Sequence, residues 1–237
     1  MKYIFNIRCI GNLFFLILFQ SSPLLAQNSV SFNFYPHLGD VNGDSDFTVN
    51  AFAPLPQRFS YFGFMNFGGV FHSGDIRFQI TEQNLRWQVA EDYPIDIVIQ
   101  DTIRKGGDND TIHVGIRWRL NNTSWLNHFF RSINLVYGVH LFPIRFDQRD
   151  VGGWQLSHAY IIKFPYISDR LYFSGFLDHN IQESNIPVIK RDNIVSENQF
   201  GVRLFRKLYA VAEFRVNDYR RSDRTNFGMG LEIKTNW

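Results

Sequence analysis

Charged side chains two positions apart recur along this chain: Arg117 with Arg119, Glu213 with Arg215, and Glu232 with Lys234. In an extended strand residues i and i+2 point the same way, so each pair sets two charges in successive layers of one face. Such a face has two uses. It binds a passing solute through that solute's polar groups, or it locks into Arg–carboxylate pairs that fill the space in front of it. Arg203 belongs to the same set, and Phe62, Phe64, Tyr172 and Phe176 fall on the matching parity of their own segments. Flat rings beside polar groups suit stacking against a planar solute such as a nucleobase.

Other reactive groups are arranged less well for chemistry. In "DVNGDSDFTVNA" Asp40, Asn42, Asp44 and Asp46 alternate as in a calcium loop. Yet Ser45 stands where the sharp turn requires Gly, and Ala51 where a bidentate carboxylate should close the shell, so an acidic hairpin loop and no metal are expected. His72 and Ser73, with Asp75 nearby, fall in a turn-like stretch with no oxyanion arrangement. Ser157 and His158 are adjacent and would face opposite ways on a strand. No catalytic residues and no cofactor are expected.

The elements that must hold these groups are strands. In "TIHVGIRWRLN" Ile112, Val114, Ile116, Trp118 and Leu120 oppose His113, Gly115, Arg117, Arg119 and Asn121. The same split recurs at "YAVAEFRVN", and at the end of the chain Phe227, Met229, Leu231, Ile233, Thr235 and Trp237 share one parity. Turn-forming residues separate about 12 segments of ~10 residues, the length a tilted membrane strand needs: 29–36, 46–54, 59–68, 75–88, 95–105, 111–121, 132–144, 153–164, 170–182, 195–205, 208–219 and 226–237. Charged, Gly-rich connectors alternate with mostly tighter ones, and "NTSWLNHFFR" has room for a short interfacial helix.

Composition agrees with this reading. The 237 residues are 45% hydrophobic and include 25 Phe, 10 Tyr and 5 Trp, while a mean hydropathy of −0.19 shows polar residues interspersed throughout. No stretch after residue 26 approaches the ~18 consecutive apolar residues of a membrane helix. Residues 1–26 have the form of a cleaved signal peptide, with Lys2 and Arg8 before the apolar run Leu13 to Phe19 and an exit after Ala26. Removing them takes Lys2 and Arg8 from the 24 basic residues and none of the 22 acids, leaving 22 of each. Cys9, the only cysteine, leaves too, so residues 27–237 have no thiol.

The expected fold class is all-β: an antiparallel transmembrane β-barrel of about 12 strands over residues 27–237. Charges on a lipid face are costly near the bilayer centre, so the charged parity must face the lumen. An exported, cysteine-free chain of amphipathic strands ending in an aromatic residue resembles bacterial outer-membrane barrels. More narrowly, "FTVNAFAPLPQRFSYFGFMNFGG" with the strands that follow resembles the nucleoside-specific channel-forming porin family, which is 12-stranded. That resemblance implies diffusion of small polar solutes, nucleosides among them, and a location in the outer membrane. The expected partners are outer-membrane lipid and lipopolysaccharide, the barrel-assembly machinery, which is thought to read the terminal strand ending in Trp237, and the solute; no nucleic acid is expected. A plugged structural or adhesion barrel is the alternative, and a barrel hydrolase acting on lipid a further one. The residues expected to line the pore are Phe62, Phe64, Arg117, Arg119, Tyr172, Phe176, Arg203, Glu213, Arg215, Glu232 and Lys234.

Overall fold

Alternation of side chains along each strand buries nothing until the sheet closes on itself. In the computed structural model, which describes residues 28–36, 45–68, 77–105, 110–147, 153–182, 192–218 and 224–236, it does close. The strands are β1 (Ser29–Tyr35), β2 (Asp46–Pro54), β3 (Phe59–Gly68), β4 (Arg77–Gln88), β5 (Ile95–Arg104) and β6 (Thr111–Arg119). After a single 3-10 turn and the helix α1 (Asn127–Ser132) come β7 (Leu135–Asp147), β8 (Gly153–Lys163), β9 (Leu171–Gln182), β10 (Asp192–Phe205), β11 (Leu208–Asn217) and β12 (Thr225–Asn236). Each pairs antiparallel with its neighbours in sequence, and β1 pairs with β12, from Ser29 opposite Asn236 to Phe34 opposite Leu231. That pairing removes both sheet edges, the condition for a sheet to sit in hydrocarbon.

The expected segments match these strands closely. The main shift is at β7, which starts at Leu135 because the "NHFFRS" of α1 takes residues up to Ser132. Trp237, the candidate signal peptide, residues 40–44 of the acidic loop, His72, Ser73 and Asp75 lie outside the described residues.

Strand direction divides the barrel into two ends. One, the turn end, carries the connections at residues 55–58, 89–94, 120–134, 164–170 and 206–207. Backbone angles in the left-handed region, at Gln57, Arg58, Asn134 and Arg206, occur among the described residues only in these connections, where reversing direction in few residues demands them. The opposite end is called the loop end below.

The two faces differ in polarity, although Gln83, Asp101 and Asn198 fall on the outward parity. Outward positions hold Ile97, Ile99, Ile116, Leu231 and Ile233, all exposed. Aromatic residues gather near both ends of this surface. Phe32, Phe47, Phe67 and Phe78 form a run of neighbouring rings 6.2 to 6.3 Å apart toward the loop end. Phe59 and Trp87, 6.4 Å apart, lie at the turn end, where Trp125 and Tyr166 are also exposed. Two aromatic girdles flanking an apolar band are the surface of a membrane barrel. The inward face is polar, with Asn33, Asp46, Asp96, Gln100, His140, Gln199, Glu213 and Arg215 buried in the lumen.

Candidate functional site: the barrel lumen

The lumen has two unlike walls. On the side formed by β9–β12, β1 and β2, large side chains lie flat over glycines. A Cβ at Gly201 would collide with the ring of Tyr172, and one at Gly230 would come within 2.8 Å of Tyr35 Cδ1. The space these glycines leave lets residues three strands apart meet. Arg215 on β11 reaches Asp46 on β2 at 2.5 Å, holds Glu213 through Nε, and lies 3.6 Å from Glu197. The Tyr35 hydroxyl donates to Glu213 Oε2 at 2.5 Å, and Asn33 Nδ2 donates to Gln199 Oε1 at 2.7 Å. Gln199 in turn donates to the Tyr172 oxygen, and Tyr172 donates to Glu232. Lys234 completes the chain 3.2 Å from Glu232, with its ammonium 3.6 Å above the Tyr172 ring and 4.8 Å from that of Tyr209.

This packed wall unites Tyr172, Glu213, Arg215, Glu232 and Lys234 in one hydrogen-bonded cluster. The contacts among them resemble a filled core more than a solvated lining. Asp46, one of the alternating acids of the apparent calcium loop, is a strand residue here and the ion-pair partner of Arg215.

The wall formed by β3–β8 is looser. Arg117 Nε donates to Asp96 Oδ2 at 2.5 Å, and Arg119 Nε lies 3.5 Å from the other oxygen, so two arginines share one carboxylate. Arg119 also donates to the Tyr93 carbonyl at 2.9 Å. The Arg86 guanidinium sits 5.2 Å over the Phe62 ring, and its buried Nε has no hydrogen-bond partner. His140 is stacked parallel to Phe142 at 5.9 Å, is 5% exposed, and its Nε2 also lacks a partner.

The walls meet at one point. Phe64 on β3 and Phe176 on β9, six strands apart in the ring of 12, stack at 6.5 Å and so bridge the lumen. Below this bridge a cavity of about 980 Å³ runs to the turn end, bordered there by Phe52, Arg119, Lys163 and Arg203. Its inner limit is marked by Phe64, Phe176, Glu82 and Asp178. Of the residues expected to line a pore, all but Arg215 border this cavity. Arg203 stands apart from the cluster, at the mouth, where it pairs with Asp169 at 2.5 Å.

Several lumen residues were not singled out from the sequence: Tyr35, Glu82, Gln199 and Phe142. Tyr35 and Phe142 look like ordinary apolar strand residues, and only their parity relative to Asn33 and His140 marks them as inward. Ser157 faces the lumen between its cross-strand partners His140 and Asp178, whereas His158 points outward with Nδ1 2.6 Å from the Tyr137 hydroxyl. A serine between the acid and the imidazole reverses the nucleophile–base–acid order that serine catalysis requires. Among the described residues no group of three His, Cys, Asp or Glu is placed to hold a metal ion.

No protein-family model matches the chain, and no curated protein sequence does. Solved structures do match. The KdgM porin aligns over 88% of this chain and 98% of its own, with a TM-score of 0.50 and 11% identity. A KdgM porin structure in complex with disordered oligogalacturonate aligns over the same shares at a TM-score of 0.46 and 10% identity. A porin of Rhodopseudomonas blastica, as a triple mutant, aligns over 90% of this chain with a TM-score of 0.40 and 7% identity. The likeness is one of fold. The chain is a closed 12-stranded antiparallel barrel of the porin kind.

Proposed function

We propose that this protein is an outer-membrane channel through which small polar solutes diffuse, with its turn end in the periplasm and its outward girdles against phospholipid and lipopolysaccharide. One observation carries the reading: a cavity of about 980 Å³ lined by charges and rings runs between the packed wall and the open one to the turn end. A barrel with a purely structural role would gain by filling both sides, since an unfilled, polar interior forgoes packing. Twelve strands lie between the ~8 that side chains fill and the 16 or more that leave a wide aqueous channel.

Nucleosides are the solute class proposed first. Phe62, Phe64 and Phe176 border the cavity as apolar rings, and Asn84 and Gln100 beside them would supply amides for sugar hydroxyls. Planar bilayers containing the folded protein are expected to conduct ions, and adenosine added on the turn-end side is expected to block that current. Folded protein that conducts nothing would overturn the channel. Conduction that adenosine leaves untouched would remove nucleosides alone.

A further inference from the structure

The longest of the turn-end connections, 120–134, is held against the outside of the barrel. Trp118 Nε1 donates to Thr123 Oγ1 at 2.8 Å, and the buried ring of Phe130 stacks on that of Tyr137 at 6.1 Å. Trp118 and Tyr137 both have outward parity, one residue from the lumen-facing Arg117 and Gly138. From Tyr137 the rings continue over the outward face through Tyr160 at 6.4 Å and on to Phe173 at 5.7 Å. α1 is thus joined to the surface that faces hydrocarbon.

Around this helix the side chains divide into three faces. Phe130 is turned to the barrel. Trp125, Phe129 and Ile133 recur at intervals of four and share a second face. Trp125 keeps the helical spacing because Asn127 N already donates to Thr123 O at 2.8 Å. All three are exposed. His128, Arg131 and Ser132 fall on the third face and are exposed as well. The neighbouring connection, 164–170, is tied to this one by Lys163 N, which donates to Asn134 O at 3.1 Å. It adds Tyr166 and Ile167, 87% and 76% exposed, more than any large apolar side chain of the strands.

Resting on the reading of the chain as a membrane barrel, we propose that α1 and the 164–170 connection dock into the phospholipid leaflet at the turn end. Trp125, Phe129, Tyr166 and Ile167 enter the lipid, while the face of His128 and Arg131 stays in water. Lipid is the occupant because the uncovered stripe adjoins the lipid face of β7–β9 through the rings of Phe130, Tyr137 and Tyr160. An apolar stripe bordered by a polar face is also the pattern of a helix lying in the plane of a membrane, and Trp and Tyr are favoured at that depth. Arg131 and Arg170 make no ion pair with a described residue and supply charge for lipid phosphates. Docking in the leaflet also keeps the longest connection off the mouth of the cavity.

Cys9 is the only cysteine, so in a Cys9→Ser background each introduced thiol reports its own surroundings. Phe129→Cys, Ile167→Cys and His128→Cys are labelled with an environment-sensitive fluorophore and folded into phosphatidylcholine vesicles with iodide on both sides. Ile99→Cys marks the lipid face, and Glu91→Cys marks water at the same end. Labels at 129 and 167 are expected to be quenched by phospholipid carrying a nitroxide high on its acyl chain. They should also be protected from iodide several-fold relative to labels at 128 and 91. Should Phe129→Cys fail to fold, Trp125→Cys takes its place. Iodide quenching at 129 and 167 equal to that at 128, with the Ile99 label still protected, overturns the docking and leaves the barrel standing. An Ile99 label as open to iodide as the one at 91 overturns the membrane barrel itself. Neither result depends on conductance, so the channel is tested separately.

Discussion

The packed and open walls of the lumen are built from the same inward parity of the same kind of strand, yet they differ in what faces what. On the packed wall, glycines at 201 and 230 sit beneath Tyr172 and Tyr35, and a single arginine meets three carboxylates, those of Asp46, Glu197 and Glu213. On the open wall two arginines share one carboxylate and a third has none. Excess acid around one cation draws side chains across the lumen and closes it. Excess cation leaves positive groups spread along a cavity. Charge stoichiometry within a few layers thus separates a wall that stabilises the barrel from one that can act on a solute.

Arg215→Met should strike hardest. It leaves Asp46, Glu197 and Glu213 facing one another without their shared cation, and breaking a buried pair costs about 3 kcal/mol or more. The urea midpoint of the refolded protein should fall accordingly, and an unchanged midpoint would show that the cluster does not hold the barrel. Next comes Gly201→Val, which displaces Tyr172 from its place over the backbone and is expected to cost about 2 kcal/mol, as overpacking does. Its conductance should be measured too, since a displaced Tyr172 ring can only narrow the cavity.

At the meeting of the walls, Phe64→Ala should lose about 1 kcal/mol of ring–ring contact but raise single-channel conductance, because the bridge to Phe176 is then gone. If stability falls and conductance does not rise, the stack is structural and the stricture lies elsewhere. The smallest effect is expected at the mouth. Arg203→Met removes an exposed pair with Asp169, worth about 0.5 kcal/mol at most, and the change in midpoint should be close to the noise of the measurement. A large fall would mean that the mouth belongs to the packed wall after all.

Much of this architecture was legible in the residues. The segments 46–54 and 59–68 coincide with β2 and β3 end for end, and Ile112 to Trp118 alternate in space as they do in sequence. Parity failed where a strand carries a bulge. Phe78 and Ile80 share a parity within β4, yet register on opposite sides, because the pairing with β3 shifts between Asn66 and Phe67. Arg145 enters the lumen opposite His113 for the same reason, after the shift between Val114 and Ile116, although His140 on the same strand has the other parity. A bulge adds a residue on one strand only; Pro143 marks the one in β7, whereas β4 carries no such signal.

Away from the bulges of β4 and β7, the sequence by itself determined which residues face lipid and which face the lumen, because a period of two is a property of each strand alone and the cost of charge in hydrocarbon assigns its sense. It also pointed to closure, since strands whose apolar parity faces hydrocarbon have no water to satisfy an open edge. Only the tertiary structure decided which lumen residues meet. Asp46 and Arg215 lie 169 positions apart, and Phe64 touches Phe176 from the far side of the ring. Those encounters depend on the stagger that accumulates as β12 returns to β1, a global quantity to which every turn and bulge contributes.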